Sequence, residues 1–175
     1  MRALATAAAA ICLLAAAGAA AQQVVGVAKR VRGAAELIAA EGRDKLLAPG
    51  DRIRANDIVK TGVNGSALLQ LADATVFTVG PNAESKIDAF VYDPATGAGE
   101  ASASIIEGAM RFISGRIAKT NPGALQIATP VGTIGVRGTI AVVEAADGAA
   151  TVILLAPENA PAGGALVIQT PGGEV

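Results

Sequence analysis

Short apolar runs separated by turn-forming residues divide most of this sequence. Pairs such as Pro49-Gly50, Asn64-Gly65 and Asp147-Gly148 separate segments of strand length in which apolar residues alternate with polar or small ones. Turns at intervals of about 8–12 residues are typical of sandwiches, barrels and solenoids. The sequence contains no sustained exact repeat of the kind that would favour a β-helix. We therefore predict an all-β single domain of short antiparallel strands, with sandwich, barrel or solenoid-like closure left open.

Particular turns predict how these strands connect. Gly33 and Asn64-Gly65 read as hairpin turns, Glu107-Gly108 as a turn, and Asp147-Gly148 as the turn of a closing hairpin. Residues 115–123 read as a basic loop. In the first strand, the period-2 pattern predicts that Val25, Val27 and Val31 share one face. Residues 156–164 have the composition of a linker, and residues 165–170 read as a further strand, which we expect to pair at a sheet edge.

The N-terminus has the pattern of an export signal. A short positive start, Met1-Arg2, precedes an uncharged apolar run, and Ala19-Ala20-Ala21 offers a cleavage site before Gln22. An uncleaved anchor is the competing interpretation, but the run consists mostly of weakly hydrophobic alanine. We predict a signal peptide over residues 1–21 and a periplasmic or secreted protein with no stable membrane span after cleavage.

Missing residue types restrict the chemistry. The chain has no histidine, and its single cysteine, Cys12, lies within the predicted signal peptide. The mature chain would therefore lack disulfides and the usual ligands of zinc and most transition metals. It would also lack the residues for cysteine or Ser-His nucleophilic catalysis. These absences predict a protein that is not an enzyme and carries no cofactor.

Charge and aromatic content argue against nucleic acid as a partner. Lys and Arg number 14 against 15 Asp and Glu, so there is no basic excess to neutralise phosphates. The chain has no Trp, one Tyr and three Phe, too few aromatic rings for a base-stacking platform. We expect envelope proteins of unknown identity as partners.

One segment stands out because its residue types, glycine and proline above all, are those that shape the backbone. It is Thr129-Pro-Val-Gly-Thr-Ile-Gly-Val-Arg-Gly-Thr139. Its glycines fit neither a dinucleotide-binding nor a P-loop pattern, so we interpret them as places of close backbone approach. Arg137 lies between Val136 and Gly138 in apolar surroundings, which predicts a buried guanidinium with an internal partner. Capture of a ligand carboxylate by Arg137 is the alternative.

Acidic residues at turns have a simple structural interpretation. Asp51, Asp57 and Asp73 are predicted to cap turns by accepting backbone N–H bonds. No calcium-loop pattern appears. A hydrolase that uses two carboxylates is a remote alternative that substitutions at Glu84, Asp88 and Glu107 would test.

The order of several fragments resembles the FecR-type domain. The fragments extend over residues 24–155 and are Val27…Val31-x-Gly33, Leu47-x-Pro-Gly-Asp51-x-Ile53, Asp57-x-Val59-x-Thr-Gly62, Asn64-Gly-Ser-Ala67, Leu69-x-Leu71-x-Asp73, Gly80-Pro-Asn82, Glu107-Gly108 before Arg111, and Thr129-Pro130 with Val136-Arg-Gly-Thr139. As family-motif residues, with a structural or partner-contact role, we single out Pro49, Gly50, Asp51, Thr61, Gly62, Asn64, Gly65, Thr129, Pro130, Arg137, Gly138 and Thr139.

The resemblance implies an extracytoplasmic β-rich domain. FecR-type regulators sense an outer-membrane receptor and pass the signal to a cytoplasmic sigma factor. We expect this chain to depart from them in having no anti-sigma region ahead of its apolar segment. We therefore expect a non-enzymatic envelope protein that acts as an interaction or scaffold module. An accessory role in iron-uptake type signalling is the alternative.

Overall fold

A long strand, β9, is the element around which the structure is organised. The computed structural model describes residues 23–137, 140–155, 165–170 and 173–174. Within these ranges the chain forms one helix, α1 (Arg116–Thr120), and fifteen strands: β1 (Val24–Arg32), β2 (Ala35–Ile38), β3 (Lys45–Leu46), β4 (Arg52–Arg54), β5 (Ile58–Thr61), β6 (Ser66–Leu71), β7 (Val76–Val79), β8 (Glu84–Tyr92), β9 (Gly99–Ile113), β10 (Leu125–Thr129), β11 (Gly132–Arg137), β12 (Ile140–Ala146), β13 (Ala149–Leu155), β14 (Ala165–Thr170) and β15 (Gly173–Glu174).

Strand β9 is shared by two halves of one continuous sheet. Its residues 99–107 pair with β8 and β10, whereas residues 108–113 pair with β7 and β12. Gly108 lies at the change, with a φ of +79°, and a Cβ there would lie 2.6 Å from the Cα of Ala83. The turn predicted at Glu107-Gly108 is therefore a bend within a continuous strand, at a position that only glycine fits.

The two halves have different strand orders. Half-sheet A runs β4-β1-β6-β7-β9-β12-β13, and half-sheet B runs β3-β2-β5-β8-β9-β10-β11-β14-β15. Paired strands are antiparallel except β9 and β10, which are parallel and are joined by a crossover that contains α1. The predicted all-β single domain is confirmed, and its closure is a sheet curled into half a barrel.

A row of turns, here termed the corner, carries the chain between the two half-sheets. Residues 33–34 join β1 to β2, residues 62–65 join β5 to β6, and residues 80–83 join β7 to β8. Backbone hydrogen bonds link these turns to one another and to β9: Gly62 N–H to Ala34 C=O (2.9 Å), Asn82 N–H to Gly62 C=O (3.1 Å) and Gly80 N–H to Ala109 C=O (2.8 Å). The corner therefore folds the sheet along one line.

The hairpins predicted at Gly33 and at Asn64-Gly65 are wrong, because the chain passes from one half-sheet to the other at these turns. β1 pairs with β4 and β6, whereas β2 pairs with β3 and β5, so the strands on either side of Gly33 are not partners. The same holds for β5 and β6 on either side of Asn64-Gly65. Turns do lie at both positions, but a turn does not specify which strand lies beside which.

Both half-sheets contribute to one hydrophobic core. Alternation along β6 and β7 buries every second residue, as the sequence predicted, and Phe77 lies directly opposite the buried Phe112 of β9. From half-sheet B, Leu125 and Ile127 of β10 join the same cluster. The curled sheet thus covers a single apolar interior.

Strand β1 departs from simple alternation. Val25 and Ala28 are buried and the half-buried Val31 packs against the core, whereas Val27 is half-buried and lies opposite Gln70, outside the core cluster. The pairing register of β1 shifts between Val24 and Gly26 and again between Ala28 and Arg30. An extra residue at a bulge reverses the faces that follow it, so the predicted shared face of Val25, Val27 and Val31 is wrong.

Two segments late in the chain complete half-sheet B. The predicted basic loop contains α1, whose Ile117 and Ala118 are buried. Strand β14 pairs with β11 along five residues, in agreement with the expectation that residues 165–170 pair with the sheet. Leu166 and Ile168 of β14 pack against the core. Residues 156–164, predicted to be a linker, and the predicted signal peptide, residues 1–21, lie outside the described residues.

Candidate functional site

The motif residues at 49–51 form a capped turn. The Oδ2 of Asp51 accepts the N–H of Ala48 at 2.8 Å, and its Oδ1 accepts the Nζ–H of Lys45 at 2.6 Å. These hydrogen bonds, the one from Lys45 above all, hold the pKa of Asp51 below its ordinary value. Gly50, with a φ of +92°, follows the exposed Pro49. The predicted cap is confirmed, and Asp57 makes a similar one with Arg54 N–H at 2.9 Å.

Thr61 anchors the corner from inside. Its side chain is buried, and its Oγ1 donates to the carbonyl of Gly80 at 2.5 Å while accepting the N–H of Ala83 at 3.0 Å. One hydroxyl therefore joins the end of β5 to the turn between β7 and β8. These hydrogen bonds give the Thr61 hydroxyl a structural role at this position.

Gly62, Asn64 and Gly65 are also corner residues. A Cβ on Gly65 would lie 2.1 Å from the carbonyl oxygen of Ala34, and one on Gly33 would lie equally close to that of Asn64. Backbone segments approach so closely that no side chain fits between them. Gly65 of the motif is therefore a packing requirement of the fold, and a Cβ on Gly62 would lie 3.2 Å from that of Ala34.

Thr129 and Pro130 shape the hairpin between β10 and β11. Thr129 Oγ1 donates to the carbonyl of Gly132 at 2.8 Å across the two-residue turn that Pro130 begins. A Cβ on Gly132 would lie 2.5 Å from the carbonyl oxygen of Gln169 in β14. Close backbone approach, as predicted for the glycines of this segment, is confirmed at Gly132. The prediction is wrong at Gly135, where the nearest atom to a Cβ would be 3.7 Å away.

Arg137 does not lie where the sequence placed it. Along β11, Ile134 and Val136 are buried, and Arg137 is exposed on the opposite face of the strand. Alternation, rather than the apolar character of the adjacent residues, decides which side faces the core. The predicted internal pin is therefore wrong, and Arg137 forms no ion pair with any of the described residues. Gly138 and Thr139 lie outside the described residues.

The internal pin is found at Asp73 instead. Asp73 is 0% exposed, and its carboxylate accepts hydrogen bonds from Thr75 N–H (2.9 Å), Thr75 Oγ1–H (2.7 Å) and Ile117 N–H (3.3 Å). Thr75 Oγ1 in turn accepts the N–H of Gly115 at 3.0 Å. The cap predicted for Asp73 is confirmed, and it also holds the start of α1.

The three acidic residues of the remote hydrolase alternative are only partly brought together. Glu84 and Glu107 lie opposite each other on β8 and β9 and line one cavity of about 410 Å³ with Lys60. Lys60 Nζ lies 3.1 Å from Glu84 Oε2, and this ion pair raises the pKa of Lys60. Asp88 is instead paired with Lys86, at 2.7 Å. No group of three or more potential metal ligands occurs within the described ranges.

Strand β13 exposes apolar residues at the edge of half-sheet A. Ile153, Leu154 and Leu155 are 52%, 44% and 37% exposed. Leu154 lies opposite the buried Ala141 and so on the core-facing side, whereas Ile153 lies opposite Val142 on the outer side. The edge is therefore apolar on both faces. Among the described strands, β13 pairs with β12 only.

Half-sheet B carries a polar depression on its outer face. Its cavity of about 220 Å³ is lined by side chains or backbone of Gln126, Thr133, Gly135, Arg137, Val167 and Gln169. A second cavity of about 440 Å³ adjoins it and shares Gly123 and Gln126. The sequence did not single out Gln126 or Gln169, because polar residues are common on the outer face of a sheet. Only the order of the strands shows that these two line the same depression.

A comparison with models of protein families identifies the family to which the chain is related. The model described as FecR protein matches residues 57–157, which is more than half of the 175 residues. The chain belongs to the FecR family. Comparisons with curated proteins and with solved structures found no match.

Membership of the FecR family confirms the resemblance seen in the sequence. The matched range of this FecR-family chain includes most of the corner, the β10–β11 hairpin and β13, and it begins after the capped turn at residues 49–51. The family is one of signalling and regulatory proteins associated with extracytoplasmic signal transduction of the iron-uptake type. Within the part of the chain that the structure describes, no helix has the length and apolar character of a membrane span.

Proposed function

We propose that this FecR-family protein is an exported, non-enzymatic interaction module of the cell envelope. In this proposal it binds an extended segment of another envelope protein, which adds as a strand beside β13. The observation that carries the proposal is the apolar, regular edge of half-sheet A, where Ile153 is 52% exposed. Export rests on the N-terminal pattern of residues 1–21, and the signalling character of the family supports a protein partner.

The backbone of β13 is suited to strand addition. Its seven residues pair with β12 in an unbroken register from Ala149 to Leu155, so the strand is not interrupted by a bulge. Edge strands usually avoid new partners by bulges, prolines or inward-pointing charges. The segment Ala-Ala-Thr-Val-Ile-Leu-Leu has none of these. A partner strand can therefore form main-chain hydrogen bonds along the whole edge.

The side chains of β13 define the chemistry of the partner. The strand is uncharged, and its apolar residues lie on both faces. A partner strand with apolar residues on both of its faces would cover Ile153 on one side and Leu154 on the other. A charged strand would lose hydration without gaining an ion pair from β13. We therefore infer that the bound segment is extended, uncharged and apolar.

Site-specific crosslinking in the producing cell tests this surface. A photo-crosslinking residue at Ile153 should capture one defined envelope protein, whose crosslinked peptide is then identified by mass spectrometry. Adding Leu154→Lys to that protein should abolish the crosslink, because a lysine at the edge opposes strand addition. Leu46→Lys is the matched control: Leu46 is 73% exposed on the short strand β3, and this change should leave the crosslink intact.

Three results would contradict the proposal. A crosslink from Ile153 to a second copy of the same chain would make β13 a homodimer edge. Crosslinks that survive Leu154→Lys would show that the edge backbone is not used. Cell fractionation that places the protein in the cytoplasm would remove the envelope setting altogether.

A second candidate is an accessory role in iron-uptake type signalling, which the family relationship favours. Under this candidate, deletion of the gene changes expression of an iron-uptake operon reporter, and Leu154→Lys reproduces that change. The captured partner would then be a TonB-dependent receptor or a transmembrane regulator. If the deletion does not change expression of the reporter, the signalling role is excluded and the scaffold role remains.

A further inference from the structure

We propose that the polar depression on half-sheet B binds the carboxylate end of a short peptide, with Arg137 as the carboxylate-binding residue. The depression belongs to the outer face of the half-barrel, and its lining residues come from β10, β11 and β14 and from Gly123, which precedes β10. It is separate from the β13 edge, which lies in half-sheet A.

The absence of a side chain at Gly135 is the first observation behind this proposal. Other glycines of the sheet are required by close backbone approach, as at Gly132, where a Cβ would lie 2.5 Å from Gln169. At Gly135 the nearest atom to such a Cβ would be 3.7 Å away, which is ordinary contact, and φ is not positive. A glycine inside a strand weakens the strand, so its presence here needs another reason. Its effect is to keep the floor of the depression open.

The registers place hydrogen-bonding side chains around that floor. Gly135 lies opposite Gln126 on β10 and opposite Val167 on β14, while Thr133 lies opposite Gln169. The two glutamines each offer an amide donor and acceptor, and Thr133 adds a hydroxyl. An amide group lying over Gly135 can therefore exchange hydrogen bonds with side chains from three strands.

Arg137 supplies the charge. It is exposed at the end of β11 and lines the same depression. Its planar guanidinium can present two parallel N–H donors to the two oxygens of a carboxylate. Val167 adds an apolar wall beside the floor. A carboxylate, an adjacent amide and a small apolar side chain are together the features of the last residues of a peptide.

The size of the depression supports a peptide end. Its volume of about 220 Å³ lies below the roughly 300–1,000 Å³ of pockets that enclose a whole drug-sized ligand. The adjoining cavity of about 440 Å³ gives the remaining chain a path past Gly123 and Gln126. A free peptide terminus of a protein and the peptide of a cell-wall polymer share this chemistry.

NMR titration of the purified protein tests the site. The probe is N-acetyl-Ala-Ala with a free carboxylate, and the comparison ligand is the same peptide with a C-terminal amide. We expect shifts at Gln126, Thr133 and Gln169 and binding of the carboxylate form at least about tenfold tighter, because hydrogen bonds to a charged group are the stronger ones. A preference between the L,L and D,D forms of the probe identifies a protein terminus or a cell-wall peptide as the source.

Three variants separate the site from the fold. Arg137→Gln should weaken the carboxylate form by about tenfold and remove its advantage over the amide, whereas Arg52→Gln, a change at an exposed arginine of half-sheet A, should not. Gly135→Leu should fill the floor and abolish binding of both forms. Equal binding of acid and amide, shifts located elsewhere, or full affinity in Arg137→Gln would each overturn the proposal. If Gly135→Leu does not fold, the surface change Arg137→Gln still decides it.

Discussion

Asp73 and Ile117 are joined by a hydrogen bond from the N–H of Ile117 to Oδ2 of Asp73, at 3.3 Å, across 44 positions of the chain. This bond attaches α1 to the turn between β6 and β7. The N–H of Arg116 reinforces it by donating to the carbonyl of Asp73 at 2.9 Å. The crossover that makes β9 and β10 parallel is thus fixed to half-sheet A by a buried carboxylate.

Removing the carboxylate of Asp73 should destabilise the protein strongly. In Asp73→Ala the N–H groups of Thr75 and Ile117 would be left buried without their acceptor, at a cost of about 3 kcal/mol in the free energy of unfolding. Urea denaturation measures this change. Asp93→Ala is the control, because Asp93 makes comparable turn hydrogen bonds on the exposed surface. Equal losses in the two variants would show that burial of Asp73 does not matter.

The same turn contains a strained alanine. Ala74 has a φ of +69°, in the left-handed region that residues with a Cβ rarely adopt. Ala74→Gly should therefore raise the free energy of unfolding by about 1 kcal/mol and increase Tm. Ala72→Gly, two residues earlier and also exposed, should lower stability because its φ is not positive. Thermal unfolding of the two variants would refute the argument if both moved in the same direction.

Glycines of the corner and of the polar depression should respond oppositely to the same change. Gly65→Ala would place a Cβ 2.1 Å from the carbonyl oxygen of Ala34, and we expect a loss of at least about 3 kcal/mol or failure to fold. Gly135→Ala meets only ordinary contacts and should be neutral or stabilising by up to about 1 kcal/mol. Chemical denaturation of both variants measures the contrast. A large loss at Gly135 would mean that its backbone, rather than the space above it, requires glycine.

The capped turn at Asp51 should make stability depend on pH. Its pKa is lowered in the folded protein, chiefly by the hydrogen bond from Lys45, so the folded state binds that proton less readily than the unfolded state. The contribution is fully present above the unfolded pKa of about 4 and is lost as the pH falls through the lower, folded pKa. Because Lys45 is half-exposed, we expect at most about 1 kcal/mol.

Comparison of the wild type with Asp51→Asn measures this contribution. The difference in free energy of unfolding should be constant from pH 7 to 5 and shrink towards pH 2. Lys45→Met should remove most of the same difference, since Lys45 provides the largest cause of the lowered pKa. A difference that does not change with pH would exclude the carboxylate charge as its source.

Local patterns in the sequence predicted the elements well where short-range chemistry decides them. Alternation located the buried faces of β6 and β7, and Asp-Gly located the β12–β13 hairpin. The capping role of Asp51 followed from its position after Pro49-Gly50. Each of these features is decided within a few residues, so the residues themselves contain the information.

Other features depended on the partner of each strand. Bulges in β1 reversed the expected faces, and the exposure of Arg137 followed from the register that buries Val136. The polar depression could not be anticipated, since Gln126, Gly135 and Val167 come from three strands whose adjacency no local pattern specifies. Sequence spacing said nothing of the contact between Asp73 and Ile117.

The sequence alone determined the all-β class, the positions of most turns and the relationship to the FecR family, and it predicts an export signal, because each depends on residue type and short-range order. Only the tertiary structure decided that the turns at Gly33 and Asn64-Gly65 are corners, that β13 is an apolar edge, and that Arg137 faces a depression. The physical reason is that strand pairing is a long-range choice. The same turn can return a strand to its neighbour or send it to the other half of the sheet, and the burial of one common core selects between them.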